Sequence, residues 1–206
     1  MLKDIEWLFF DVGSTLINEE KAYEHRMRDM AESANKSYEE IYELAINFYK
    51  ENKKGDLEVT KLLGLPKQKW YFEDEVLYKE TVSCLEQLSK KYKIGVIANQ
   101  ELGTAERLQQ HGILKYIDLV IASAEEGVAK PDTKIFEIAL ERSGCKAENA
   151  VMIGDRIDND IVPAKKMGMK TIWIRQGFGG LWNTKVDEEH PDFTVYNLYE
   201  IVELLK

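Results

Sequence analysis

Five short apolar runs punctuate the chain, at residues 7–10, 94–98, 119–122, 150–153 and 171–174. They are continuously apolar and often β-branched, so the pattern predicts strands buried on both faces. Between them, apolar residues recur at helical spacing over 80–91, 104–110, 134–142 and 157–166. Strand–helix–strand alternation predicts right-handed crossovers and a parallel sheet. Residues 193–195 predict an edge strand, and 198–205 a closing helix.

One stretch breaks the alternation. Residues 17–75 carry no strand signal and are rich in Glu, Lys and Tyr. Ser37 and Glu40 have the spacing of a capping box. The helix they open places Ile41, Leu44, Ala45 and Phe48 on one face. A shorter helix over 58–63 ends at Gly64, with Pro66 beyond it. A helical insertion is expected to leave near Ile17, at the carboxyl end of the first strand, and return over 71–74. It either decorates the fold or caps a site.

Composition narrows the field. The 206 residues carry 28 Lys and Arg against 37 Asp and Glu, a net charge of −9. A nucleic-acid binder needs a basic face, and so does a protein held on an anionic membrane; neither partner is expected. At 44% hydrophobic and 32% charged, the chain can build a core as one domain with a small addition. Cys84 and Cys145 have neither disulfide nor zinc spacing. The acidic start, residues 1–6, does not read as a signal peptide, and no apolar run suffices to cross a membrane. A cytoplasmic setting is the expectation.

In open parallel sheets, ligands bind beyond the carboxyl ends of the strands. Asp11, Gly13, Ser14 and Thr15 follow the first strand, and Asn99 follows the second. Gly154 and Asp155 follow the fourth, with Asp158 and Asp160 on the next turn. Lys130 precedes Pro131 and Asp132 at a helix entry. Carboxylates at neighbouring strand ends can hold a hard cation, typically Mg²⁺. The amides of Gly13, Ser14 and Thr15 can cradle an anion. With a lysine nearby, this suits a phosphoryl group that Asp11 can attack.

These residues carry a family resemblance. FFDVGSTL at residues 9–16, VIANQ at 96–100, KPD at 130–132 and GDRIDND at 154–160 resemble the motifs of the haloacid dehalogenase (HAD) superfamily. The resemblance implies a three-layer α/β/α Rossmann-like core over 1–16 and 76–206, with a small helical cap of the family's first type over 17–75. It implies a Mg²⁺-dependent phosphatase of a small phosphorylated metabolite, acting through an aspartyl-phosphate. Asp11 matches the nucleophile, and Lys130 the lysine that steadies nucleophile and phosphate. Asp155 matches a metal ligand, alongside Asp11 and the Gly13 carbonyl. Asp160 matches the second acid of the last motif; Asp158 and Asn159 read as helix-start and polar-network residues, with Asp158 a weaker metal candidate in a supporting place. Ser14, Thr15 and Asn99 are expected to bind substrate.

Two positions depart from the family pattern. Family phosphatases usually carry, two residues after the nucleophile, an Asp that protonates the leaving oxygen and later activates water; here that residue is Gly13. The Thr or Ser of the second motif is replaced by Ala98. Turnover of ordinary sugar phosphates is therefore expected to be slow, and aryl or acyl phosphates to fare better. A catalytically weak binding or regulatory protein is the alternative. A lesser one is a phosphonatase-like enzyme whose cap lysine forms an imine, the candidates being Lys21, Lys50, Lys53 and Lys54. His25, His111 and His190 show no metal spacing. The loop at 177–180 lacks dinucleotide-binding spacing and is read as flexible. Trp182 either packs on the core or closes the site, and Tyr38, Tyr42 and Tyr49 are expected to pack the cap.

Overall fold

The computed structural model describes residues 2–206; Met1, the first residue of the acidic N-terminal stretch, lies outside them. In chain order the elements begin with β1 (Trp7–Phe10), β2 (Ile17–Asn18), α1 (Glu20–Ala34), α2 (Tyr38–Lys50), α3 (Gly55–Leu62), β3 (Val76–Leu77) and α4 (Thr81–Leu88). They continue with β4 (Lys93–Ala98), α5 (Thr104–Gln110), β5 (Leu119–Ala122), α6 (Ser123–Glu126), α7 (Lys134–Ser143) and β6 (Ala150–Gly154). The last are α8 (Val162–Lys166), β7 (Lys170–Ile174), β8 (Phe193–Val195) and α9 (Leu198–Leu205).

Six strands form one parallel sheet in the order β5-β4-β1-β6-β7-β8. The pleat sends alternate residues of β1 to opposite faces. Leu8 and Phe10 join Leu85, Val96, Ile153, Leu198 and Ile201 on the α4–α9 side. Phe9 joins Ile97, Met152, Ile135 and Phe136 on the α7 side. Each fully buried large side chain contributes roughly 1.5–3 kcal/mol. The result is a three-layer α/β/α Rossmann-like fold. Among the described residues, no helix is long and apolar enough to cross a membrane. Both cysteines are free and buried.

The strand order positions the site. The chain runs from β1 to β4 and β5 on one side, then crosses to β6, β7 and β8 on the other. Strand β1 is therefore the switch point, flanked by β4 and β6, where a crevice opens at the carboxyl ends.

The insertion departs from expectation at its ends. Two short strands, absent from the apolar pattern, pair antiparallel as Ile17↔Leu77 and Asn18↔Val76 where the chain leaves and returns. Two residues are too few to show a period. Helix α1 also went without boundaries, because its buried Ala22, Met27, Met30 and Ala31 are diluted by charged neighbours. The capping box is formed: Ser37 Oγ accepts from the Glu40 amide at 3.2 Å, and Glu40 Oε2 from the Ser37 amide at 2.9 Å. The helix expected over 58–63 starts earlier, at Gly55. The expected helix over 157–166 is instead a wide π-type turn, Ile157–Ile161, followed by α8 with Pro163 in its first turn.

The three insertion helices share a cluster of Met27, Met30, Ile41, Ala45, Tyr49 and Val59 with Ile157, Ile161, Trp173 and Trp182 of the sheet domain. Trp182 is thus buried, with the Arg156 guanidinium 4.3 Å from its ring centroid. Inside the insertion, Asp56 is fully buried; it accepts from the Tyr49 hydroxyl at 2.9 Å and pairs with Arg26 at 3.0 Å. A buried carboxylate needs such partners.

Candidate active site

Asp11 extends β1 by one residue, its amide donating to the Ile153 carbonyl at 2.8 Å. That bond sets the carboxylate between the ends of β4 and β6. Lys130 comes from the loop after α6 and is 4% exposed. Its Nζ donates to Asp11 Oδ1 at 2.7 Å, Asp160 Oδ1 at 2.6 Å and the Ile97 carbonyl at 2.8 Å. All three ammonium protons are used. Burial works against this charge, yet Asp11 and Asp160 more than offset it and hold the ammonium above its ordinary value.

Asp11, Asp155 and Asp160 each offer a carboxylate oxygen within 4.8 Å of the others. Asp160 is spent on protein partners, since its second oxygen accepts from the Arg156 amide at 2.9 Å. Burial pushes its carboxyl up to about 6, against the pull of Lys130. Among the described residues, Asp155 receives no hydrogen bond on its carboxylate; burial, then Asp11 and Asp160, drive it well above the carboxylate range. Gly179 is pressed against that carboxylate so closely that a Cβ there would collide with it. Hard oxygen donors carrying more negative charge than Lys130 neutralises are the donor set a divalent cation fits. Asp11 and Asp155 can hold it.

Several expected roles are redrawn. Thr15 is wholly buried, its amide donates to the Val12 carbonyl at 3.3 Å, and its hydroxyl has no partner among the described residues. It cannot cradle an anion, because the loop turns its backbone inward. Gly13 and Ser14 do line the cavity. Asn99 lines it too, but its amide is used on Lys130: Nδ2 donates to the Lys130 carbonyl at 2.8 Å and Oδ1 accepts from the Lys130 amide at 2.7 Å. Asp158 turns away from the carboxylate cluster and binds Arg156 in a bidentate pair at 2.9 and 2.7 Å. Two residues along the turn, Asp158 and Asp160 fall on different sides of the backbone.

The apolar and motif patterns missed three residues. Glu19, six positions beyond Gly13, lines the cavity, and its Oε2 accepts from Ser14 Oγ at 2.9 Å. Burial pushes its carboxyl up to about 8, against the Ser14 hydrogen bond, with Glu75 and Asp11 adding to the rise. Phe178, in the loop expected to be flexible, is packed: it stacks on Tyr49 at 4.6 Å and meets the edge of Tyr23 at 4.9 Å. Tyr23 lines the cavity as well. The one signal for Glu19 was negative, the missing carboxylate at position 13.

Of the four insertion lysines considered, Lys54 lines the cavity, while Lys53 pairs with Glu51 at 2.7 Å in solvent. Among the described residues, no histidine lines it; His25 stacks on Tyr71 and pairs with Asp74 at 2.9 Å. Tyr49 packs inside the insertion, whereas Tyr38 and Tyr42 line a neighbouring cleft.

Comparison with known proteins adds context to this geometry. The family model for haloacid dehalogenase-like hydrolases matches residues 8–174. A glyceraldehyde 3-phosphate phosphatase from Methanocaldococcus jannaschii is 38% identical over 63% of this chain and 56% of its own length. The matched part thus spans just over half of that relative. A glyceraldehyde 3-phosphate phosphatase from Pyrococcus furiosus is 28% identical over 100% of this chain and 93% of its own. The crystal structure of a HAD phosphatase from Thermococcus onnurineus superposes with a TM-score of 0.68 at 25% identity, covering 98% of each chain.

Proposed function

Since the chain belongs to the haloacid dehalogenase-like hydrolase family, we propose that it is a phosphatase of small organic monophosphates, acting through an aspartyl-phosphate on Asp11. The observation that carries this reading is the Lys130 bridge from Asp11 Oδ1 to Asp160. An anionic nucleophile must meet an anionic phosphate, and a buried cation beside it offsets the repulsion.

Asp11 attacks phosphorus with its free oxygen while Lys130 restrains the other. Asn99 holds the Lys130 backbone, so the ammonium reaches Asp11 from a fixed point. The Gly13 and Ser14 amides receive the phosphoryl oxygens. Asp11, Asp155 and the Gly13 carbonyl would hold Mg²⁺, which when bound offsets charge on nucleophile and phosphate. Residues 17–75 serve as a cap over this edge of the sheet.

The body of the substrate extends toward the cleft lined by Tyr23, Tyr38, Tyr42, Tyr78 and Phe178. Its volume of about 510 Å³ falls in the range of small-molecule pockets. Among the described residues that line it the cleft presents Glu20 and Glu24 and no lysine or arginine, and Glu24 is paired with Arg28 at 2.6 Å, leaving Glu20 as its net charge. It therefore favours an uncharged body carrying a single phosphate. Two relatives named glyceraldehyde 3-phosphate phosphatase agree with such a substrate class.

The test is phosphate release with Mg²⁺ across alkyl, aryl and acyl monophosphates, beside Asp11→Asn. Wild-type rates at least about 10³-fold above the variant are expected on some class, as for loss of a nucleophile. Equal rates on every class would overturn the reading and favour the non-catalytic alternative.

A further inference from the structure

Gly13 leaves a phosphatase site without its usual proton donor, and the structure shows what fills the space. A Cβ built on Gly13 would stand 2.5 Å from Glu19 Oε1 and 2.8 Å from Glu19 Oε2 and Cδ. The carboxyl oxygens of an aspartate stand about 2.4 Å from its own Cβ, by standard bond lengths. Glu19 thus brings a carboxyl group to Gly13 at the distance an aspartate at position 13 would. It arrives from the first turn of the insertion, just past β2, and Ser14 Oγ holds it at 2.9 Å. The same cavity is lined by Asp11, Lys130 and Asp155.

We propose that Glu19 is the general acid and base of this enzyme, replacing in space the aspartate that position 13 lacks. The inference rests on the phosphatase reading above. In the first step the phosphorus–ester oxygen bond breaks as the phosphorus–Asp11 oxygen bond forms. The Glu19 carboxyl gives its proton to the departing alkoxide, which leaves as an alcohol. In the second step water attacks phosphorus, and the Glu19 carboxylate takes the water's proton. The Asp11–phosphorus bond breaks, releasing inorganic phosphate and restoring the Glu19 carboxyl. A side chain at 13 would displace the Glu19 carboxyl from this place.

The experiment compares wild type with Glu19→Gln on two substrates. One is the alkyl monophosphate that the wild type turns over fastest; the other is 4-nitrophenyl phosphate, whose leaving group departs without a proton. On the alkyl ester kcat/KM, which reports the steps through release of the leaving group, should fall about 10²- to 10⁴-fold, the usual worth of a general acid. On the aryl ester kcat/KM should fall less than about 10-fold, because that leaving group needs no donor, and the second step, which loses its base on both esters, is not read by kcat/KM. A variant that is merely misfolded is recognised by the loss of the wild-type circular dichroism spectrum and cooperative thermal unfolding. Should Glu19→Gln not fold, Gly13→Asp combined with Glu19→Ala decides. Alkyl-ester turnover above that of Glu19→Ala alone supports the replacement; turnover equal to it overturns it. An active wild type whose folded Glu19→Gln variant matches it in kcat/KM on the alkyl ester, or loses kcat/KM equally on both esters, overturns this inference alone. A wild type no faster than Asp11→Asn overturns the phosphatase reading, and this one with it.

Discussion

Asn99 and Lys130 clasp each other through two hydrogen bonds, the Asn99 side chain donating to the Lys130 carbonyl at 2.8 Å and accepting from its amide at 2.7 Å. The bonds tie the end of β4 to the loop that carries the buried ammonium. They set where Nζ reaches Asp11, so Asn99 acts through Lys130.

Asn99→Ala should therefore cost about 10- to 100-fold in kcat, as displacement of a positioned group by an ångström or so does. Stability should fall by about 1–3 kcal/mol, because two backbone groups lose their partners. Steady-state kinetics and urea unfolding check both. A change in KM with kcat untouched would place Asn99 on the substrate instead.

The raised Glu19 carboxyl gives stability a pH dependence of known sign. It is held up to about 8 in the folded chain, against an ordinary value of 4.5. Between these values the folded chain keeps a proton that the unfolded chain has released. This contribution is full below 4.5 and is lost as pH rises through about 8. Asp155 and Asp160 act in the same direction and remain in Glu19→Gln. Thermal midpoints measured in chelator from pH 4 to 9 should thus fall more steeply for wild type than for Glu19→Gln. Parallel curves would contradict the environment described for Glu19.

Phe178 joins the sheet domain to the insertion by its stack on Tyr49 and its edge contact with Tyr23. Each aromatic pair is worth about 0.5–1.5 kcal/mol beyond burial. Phe178→Ala should lower unfolding free energy by about 1–3 kcal/mol and raise KM more than it lowers kcat, because the cleft loses a wall while Asp11 and Lys130 stay in place. An unchanged KM would mean the cleft does not hold substrate.

Charge in the cleft makes a prediction about substrate. Glu24 is paired with Arg28 at 2.6 Å, so Glu20 is the carboxylate that faces the cleft without an ion-pair partner among the described residues, and it repels a second phosphate. Glyceraldehyde 3-phosphate should exceed ribulose 1,5-bisphosphate in kcat/KM by at least about 10-fold, roughly 1.4 kcal/mol. Glu20→Gln should narrow the ratio. A preference for the bisphosphate would overturn the assignment of this cleft.

Much of the frame was legible because the signals are local. Apolar runs at 7–10, 94–98, 119–122, 150–153 and 171–174 marked five of the six strands, since a buried parallel strand shows its burial in its own residues. Asp11, Lys130 and Asp155 were legible because strand ends are where such sheets hold ligands. The ribbon of Ile17–Asn18 with Val76–Leu77 is too short to leave a period, and the inward turn of Thr15 and the Asn99 hold on Lys130 were not legible because spacing does not say which way a loop turns. The sequence by itself determined that position 13 has no side chain. Tertiary structure alone decided what stands there: the turn after β2 folds back over the nucleophile loop, and burial against Ser14 and Asp11 brings Glu19 into the gap. Contacts between residues on separate turns of a loop depend on backbone direction, which residue order does not encode.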